Sequence, residues 1–123
     1  MVDLYASSDQ AVRVPRYAFE VMAAMTALDE DKVAVMLLLL VRMDVDRTVK
    51  IYLDQLPEFL TVRPERVDRA VSSLIERGWI TLVDMAAMRS RILACVVHPA
   101  FLDSDFDGLM RVVYPRMFKA DGH

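Results

Sequence analysis

A chain of 123 residues and 14.0 kDa is large enough to bury one core of its own and leaves no room for a second. With 55% hydrophobic and 27% charged residues, three Gly and five Pro, its composition excludes disorder, collagen and low-complexity architectures. The net charge of −3 is unevenly spread: residues 1–62 carry six basic against ten acidic side chains, whereas residues 63–91 carry six basic, all Arg, against four acidic.

The apolar share exceeds the usual range and includes nine Met, which points to burial against a second copy of the chain. Cys95 is the only cysteine, and with His98 and His123 it makes neither a disulfide nor a zinc ligand set, so no metal or cofactor is expected. Acidic Asp3 and Asp9 do not resemble a signal peptide, and the longest apolar run, Val33 to Val41, is too short to cross a bilayer; a cytoplasmic protein is expected.

Apolar residues at Tyr17, Ala18, Val21, Met22 and Met25 predict a first helix over 15–27, with Pro15 in its first turn. A second helix, about 30–43, starts behind Asp29 with Glu30 and Asp31 at its positive end. It is apolar on nearly every side, which places it in the centre of the domain or in a dimer core. A turn at 44–47 leads to a short strand, 48–53, and Asp54 can cap a short helix over 55–60. After Thr61-Val-Arg63, Pro64 opens the best-marked helix, which closes at Gly78 and buries Val67, Ala70, Val71, Leu74 and Ile75.

Two β-rich runs, 79–83 and 92–97, separated by residues 84–91, predict a hairpin with a long loop. Gly108 to His123 is too apolar for a free tail and is expected to dock, a partner chain being one candidate surface. The order of elements is that of a winged helix-turn-helix: one α+β domain over 1–123, with its core at about 12–102, an extra N-terminal helix and a docked C-terminal extension at 103–123.

Val12-Arg-Val-Pro-Arg-Tyr17, Lys32-Val-Ala-Val-Met-Leu-Leu-Leu-Leu-Val-Arg-Met-Asp44, the stretch from Val62-Arg-Pro-Glu-Arg to Glu76-Arg-Gly-Trp-Ile80, and His98-Pro-Ala-Phe101 together resemble the winged-helix replication initiators of small Gram-positive plasmids and their phage relatives. The resemblance spans about residues 12–102 and implies DNA binding more firmly than replication. Pro57 and Thr61 stand where that family usually has Ala and Gly, Arg63 where a Ser usually caps the helix, and His98 where Asn usually precedes Pro.

The helix opened by Pro64 turns Glu65, Arg66, Asp68, Arg69, Ser72, Ser73 and Glu76 away from its apolar face. Arg66 and Arg69 can take guanine edges, Glu65 can accept from cytosine, Ser72 or Ser73 can reach bases or phosphates, and Arg63 can hold phosphate. The alternative is that these charges only solvate the helix. In the loop of the hairpin, Arg89 and Arg91 can clamp the DNA backbone, while Met85 and Met88 either meet a protein partner or fold back on the core. His98 reads as a capped strand end and Cys95 as core. Asp103, Asp105 and Asp107 lack the downstream Glu of a calcium loop, and no catalytic set can be assembled. The expected function is therefore sequence-specific duplex DNA binding by a homodimer, in replication control or transcriptional regulation, with a protein-interaction module that has lost DNA as the alternative.

Overall fold

The computed structural model describes residues 13–116. Its elements follow the predicted order: α1 (Arg16–Met25), α2 (Glu30–Arg42), β1 (Thr48–Tyr52), a 3₁₀ turn (Leu53–Gln55), α3 (Leu56–Leu60), α4 (Pro64–Glu76), β2 (Ile80–Leu82), a 3₁₀ segment (Met85–Ser90), β3 (Ile92–Val97), a 3₁₀ turn (Pro99–Phe101) and α5 (Phe106–Val113). The fold is mixed α+β, with one three-stranded antiparallel sheet in the order β1-β3-β2. Val49 pairs with Cys95 and Ile51 with Leu93, and their apolar side chains, together with Val97 and Ile80, bury one side of the sheet.

Helix α2 forms the floor. The Asp29 side chain accepts from the Lys32 amide as N-cap, and Val33, Val35, Met36, Leu39 and Leu40 are buried, which is the many-sided burial that its composition predicts. Helix α4 packs against α2 and buries Val67, Ala70, Val71 and Leu74. It ends as expected: Gly78 takes φ +77° and the Trp79 amide bonds back to the Leu74 carbonyl, closing the last turn.

Two expectations are corrected and a third is met. Residues 84–91 are not an open loop. Asp84 caps a six-residue 3₁₀ helix by accepting from the Ala87 amide, and Arg91 ends it at φ +60°. Asp54 caps nothing: the short helix α3 starts at Leu56 without a side-chain cap, and the Asp54 carboxylate is held by Arg91. The C-terminal extension docks as expected, on its own chain as far as Val113: α5 packs on α1, with Leu109 and Val113 buried. Met117 and Phe118, also expected to dock, lie outside the described residues. Asp105 of the acidic triplet is the N-cap of α5, accepting from the Gly108 amide at 2.7 Å.

The turn between α3 and α4 carries local strain. Thr61 occupies the left-handed region, φ +57° and ψ +49°, where a β-branched side chain is disfavoured. The strain of about 1–2 kcal/mol there outweighs the roughly 0.5–1 kcal/mol that glycine loses through unfolded-state entropy. Thr61→Gly is therefore expected to raise stability by about 0.5–1 kcal/mol in urea denaturation. A loss of that size would mean that the Thr61 side chain anchors the turn.

Candidate nucleic-acid interface

Helix α4 starts without a side-chain cap: Arg63 precedes Pro64 with extended backbone, φ −70° and ψ +147°. Its guanidinium is thereby left outside the helix, exposed. Along the outward face Glu65, Arg69, Ser72 and Glu76 are exposed, while Ser73 is half-buried. Among the described residues no ion pair engages Arg63, Arg69 or Arg89, and Arg89 is exposed on the 3₁₀ segment between β2 and β3.

Two of the predicted DNA contacts are engaged inside the molecule. Arg66 does not project freely. It donates from Nε to Asp31 Oδ2 at 2.8 Å and from Nη2 to Oδ1, with Glu30 Oε2 at 3.5 Å, so it straps the first turn of α4 to the first turn of α2. This fork, with a smaller contribution from the charge of Arg69, holds the Asp31 carboxyl below the usual carboxylate range despite partial desolvation. Arg91 lies at the C-terminal end of the 3₁₀ segment and donates to Asp54 Oδ1 and Asp68 Oδ1, each at 3.0 Å. It is a brace between the hairpin, the start of the short helix and α4.

The two methionines of the same segment part ways. Met88 packs against the core, whereas Met85 is 74% exposed beside exposed Val83. The remaining surface of α4 is mixed in sign, with Arg63 and Arg69 set among Glu65 and Glu76.

The partners of Arg66 and Arg91 were not visible in the sequence. Asp31 lies 35 residues from Arg66 and Asp54 lies 37 from Arg91, so no local spacing links them. Lys32 was missed as well. It is 5% exposed, its ammonium 3.2 Å from Asp29 and 5.3 Å from the centre of the buried Trp79 ring. An apolar helix starting Glu-Asp-Lys gives no sign that the lysine turns inward.

Cys95 is buried in β3, and burial pushes its thiol up to about 11, so it is an unreactive core residue. His98 Nδ1 accepts from the Ala100 amide at 3.0 Å and caps the 3₁₀ turn that follows β3. Burial, and then the nearby Arg47 charge, lower the His98 pKa below its ordinary value. A depressed pKa means that the folded state binds its proton less readily, so the stabilisation is complete above about pH 6.5 and is lost as pH falls through the lowered value. His98→Asn keeps a capping acceptor without a titrating ring. The wild-type melting temperature is expected to fall as the pH drops below about 6.5, and that of His98→Asn to fall less; parallel curves would remove His98 as the cause.

Among the described residues no cluster of His, Cys, Asp or Glu could hold a metal ion, and no helix is long and apolar enough to cross a membrane. The described chain is thus a mixed α+β fold in which one arginine-bearing helix and an adjacent β-hairpin present polar residues outward. Compared with family models, with curated proteins and with solved structures, it matches none.

Proposed function

We propose that the chain is a winged helix-turn-helix protein that binds specific duplex DNA as a homodimer, with α4 in the major groove. The observation that carries this reading is the placement of Arg63, Arg69 and Ser72 on the outward side of α4, beside a hairpin that exposes Arg89. Arg69 and Ser72 are the residues for base edges, and Arg63 and Arg89 the residues for phosphate. Arg91 supports the hairpin from within, and Arg66 reaches DNA only by leaving Asp31. The role is control of plasmid or phage replication, or transcriptional regulation, in keeping with the resemblance of residues 12–102 to replication initiators.

The test is fluorescence anisotropy of duplex DNA across a salt series, followed by selection from a random-sequence pool. Affinity should fall by about 0.9 log units per log salt for each phosphate contact, and the enriched site should be palindromic. No binding at about 50 mM salt, where phosphate contacts are strong, would overturn the reading.

A second reading is favoured by the internal ion pairs of Arg66 and Arg91 and by exposed Met85 and Val83: a module that holds a protein through the hairpin. It predicts a partner whose binding is lost in Met85→Glu and is not competed by duplex DNA.

A further inference from the structure

Where α4 and α5 end, the chain forms a recess of about 240 Å³ lined by Arg77, Val113, Tyr114, Pro115 and Arg116. Two arginines and no acidic residue line it, a local excess of positive charge in a chain whose net charge is −3. Neither guanidinium forms an ion pair or hydrogen bond among the described residues, and neither does the Tyr114 hydroxyl. Tyr114 is half-buried, and burial raises its phenol pKa, so the hydroxyl keeps its proton and is a donor. Cations at the C-terminal ends of helices also complement the helix dipole. Helix α4 has no need of Arg77 as a cap, however: its closing carbonyls, those of Ser73, Leu74 and Ile75, accept from the amides of Arg77, Trp79 and Gly78.

We propose that this recess binds a small phosphate monoester with an apolar or aromatic body. Charge selects the head of the ligand. A phosphate monoester carries about −1.5 to −2 near neutral pH and matches two guanidiniums, whereas a single carboxylate leaves one of them unmet. The half-charges at the two helix ends oppose an anion, but two full positive charges outweigh them. Val113, Pro115 and Tyr114 select the body, because they give the recess apolar surface beside its donors. Size sets the class. The volume lies below the roughly 300 Å³ at which drug-sized pockets begin, which suits a small metabolite. None of Arg63, Arg69, Ser72 or Arg89 lines the recess, so the site goes beyond the proposed DNA contacts and does not depend on them.

Two-dimensional proton–nitrogen NMR of the full chain, without DNA and titrated with phenyl phosphate, inorganic phosphate or benzoate, tests the site. Phenyl phosphate should shift the amides of Arg77, Tyr114 and Arg116 with a Kd of about 1 mM or below. Inorganic phosphate lacks the apolar body and benzoate lacks half the charge, so each should bind at least about fivefold more weakly. Arg77→Ala and Arg116→Ala, both at exposed positions and checked for folding by the same spectra, should each weaken phenyl phosphate about tenfold. Tyr114→Phe should weaken it about threefold. Arg42→Ala, at the end of α2 and outside the recess, should leave the affinity unchanged. No shift at these amides up to about 10 mM phenyl phosphate, equal affinity for either of the other anions, or binding indifferent to both arginine variants would each overturn the site. Shifts there with duplex DNA and with none of the three anions would also overturn it, making these arginines contacts to the DNA backbone. Because the anion titrations contain no DNA, their failure leaves the DNA reading standing.

Discussion

Trp79→Ala is expected to cost about 3–5 kcal/mol, a large share of the stability of a domain this size. Trp79 is fully buried at the junction of α4 and β2, tilted against Phe101 with ring centres 6.0 Å apart, and covered on one face by the Lys32 ammonium. Its removal opens a cavity and also strips the buried cation of its aromatic neighbour. Trp79→Phe should cost only about 1–2 kcal/mol. The smaller ring still packs, and the substitution removes the indole Nε1–H, which is buried without a hydrogen-bond partner and therefore carries a desolvation penalty.

Lys32 and Asp29 sharpen the same prediction. The Lys32 ammonium is buried while the Asp29 side chain is 41% exposed, so solvent screens the attraction although the cation has lost its hydration, and replacing that cation by an apolar residue of like shape is close to neutral. Lys32→Met is accordingly expected to lie within about 1 kcal/mol of the wild type. Asp29→Ala should cost more, about 2 kcal/mol or above, since it deletes the N-cap of α2 and leaves the lysine without its counter-ion. Urea denaturation followed by far-ultraviolet circular dichroism measures all four variants, because the only tryptophan is itself one of the targets. A loss above about 2 kcal/mol in Lys32→Met would show that the ammonium is a net anchor of the core.

What the sequence made legible is what periodicity and punctuation encode. The stripe Val67, Ala70, Val71, Leu74 defined α4 and its buried face, Pro64 and Gly78 marked its ends, and alternation at 48–53 with β-rich composition at 79–83 and 92–97 located the three strands. Periodicity says which way a side chain points and not what stands opposite. Arg66 was read correctly as lying off the apolar stripe, yet whether that side meets solvent or another helix depends on the packing of α2 beside α4. Asp54 failed as a cap for a similar reason: its competing partner, Arg91, arrives from a distant segment. The 3₁₀ helix at Met85–Ser90 escaped notice because three residues per turn leave no sustained apolar stripe in so short a run. At Thr61 the chain keeps a left-handed turn without the glycine that would announce it.

The engagement of Arg66 sets the second large effect expected under the DNA-binding proposal. Arg69→Ala should weaken specific binding by about tenfold or more, as loss of a base contact does, whereas Arg63→Ala should weaken all sequences alike and reduce the salt slope by about one. Arg66→Ala should weaken binding less than Arg69→Ala, because the wild-type side chain must first leave the carboxylate of Asp31. Asp31→Asn removes that competitor. It should tighten binding about three- to tenfold and make a subsequent Arg66→Ala more damaging than it is in the wild type, a coupling that a double-mutant cycle measures. Removing an acidic charge also favours DNA in a general way, so Glu20→Gln on the exposed side of α1 serves as the control, with little change expected at physiological salt. If Asp31→Asn and Glu20→Gln behave alike and the cycle shows no coupling, Arg66 belongs wholly to the packing of α4 on α2. The reading surface then reduces to Arg63, Arg69, Ser72 and Arg89, whose small number of basic groups would require the second subunit for tight binding.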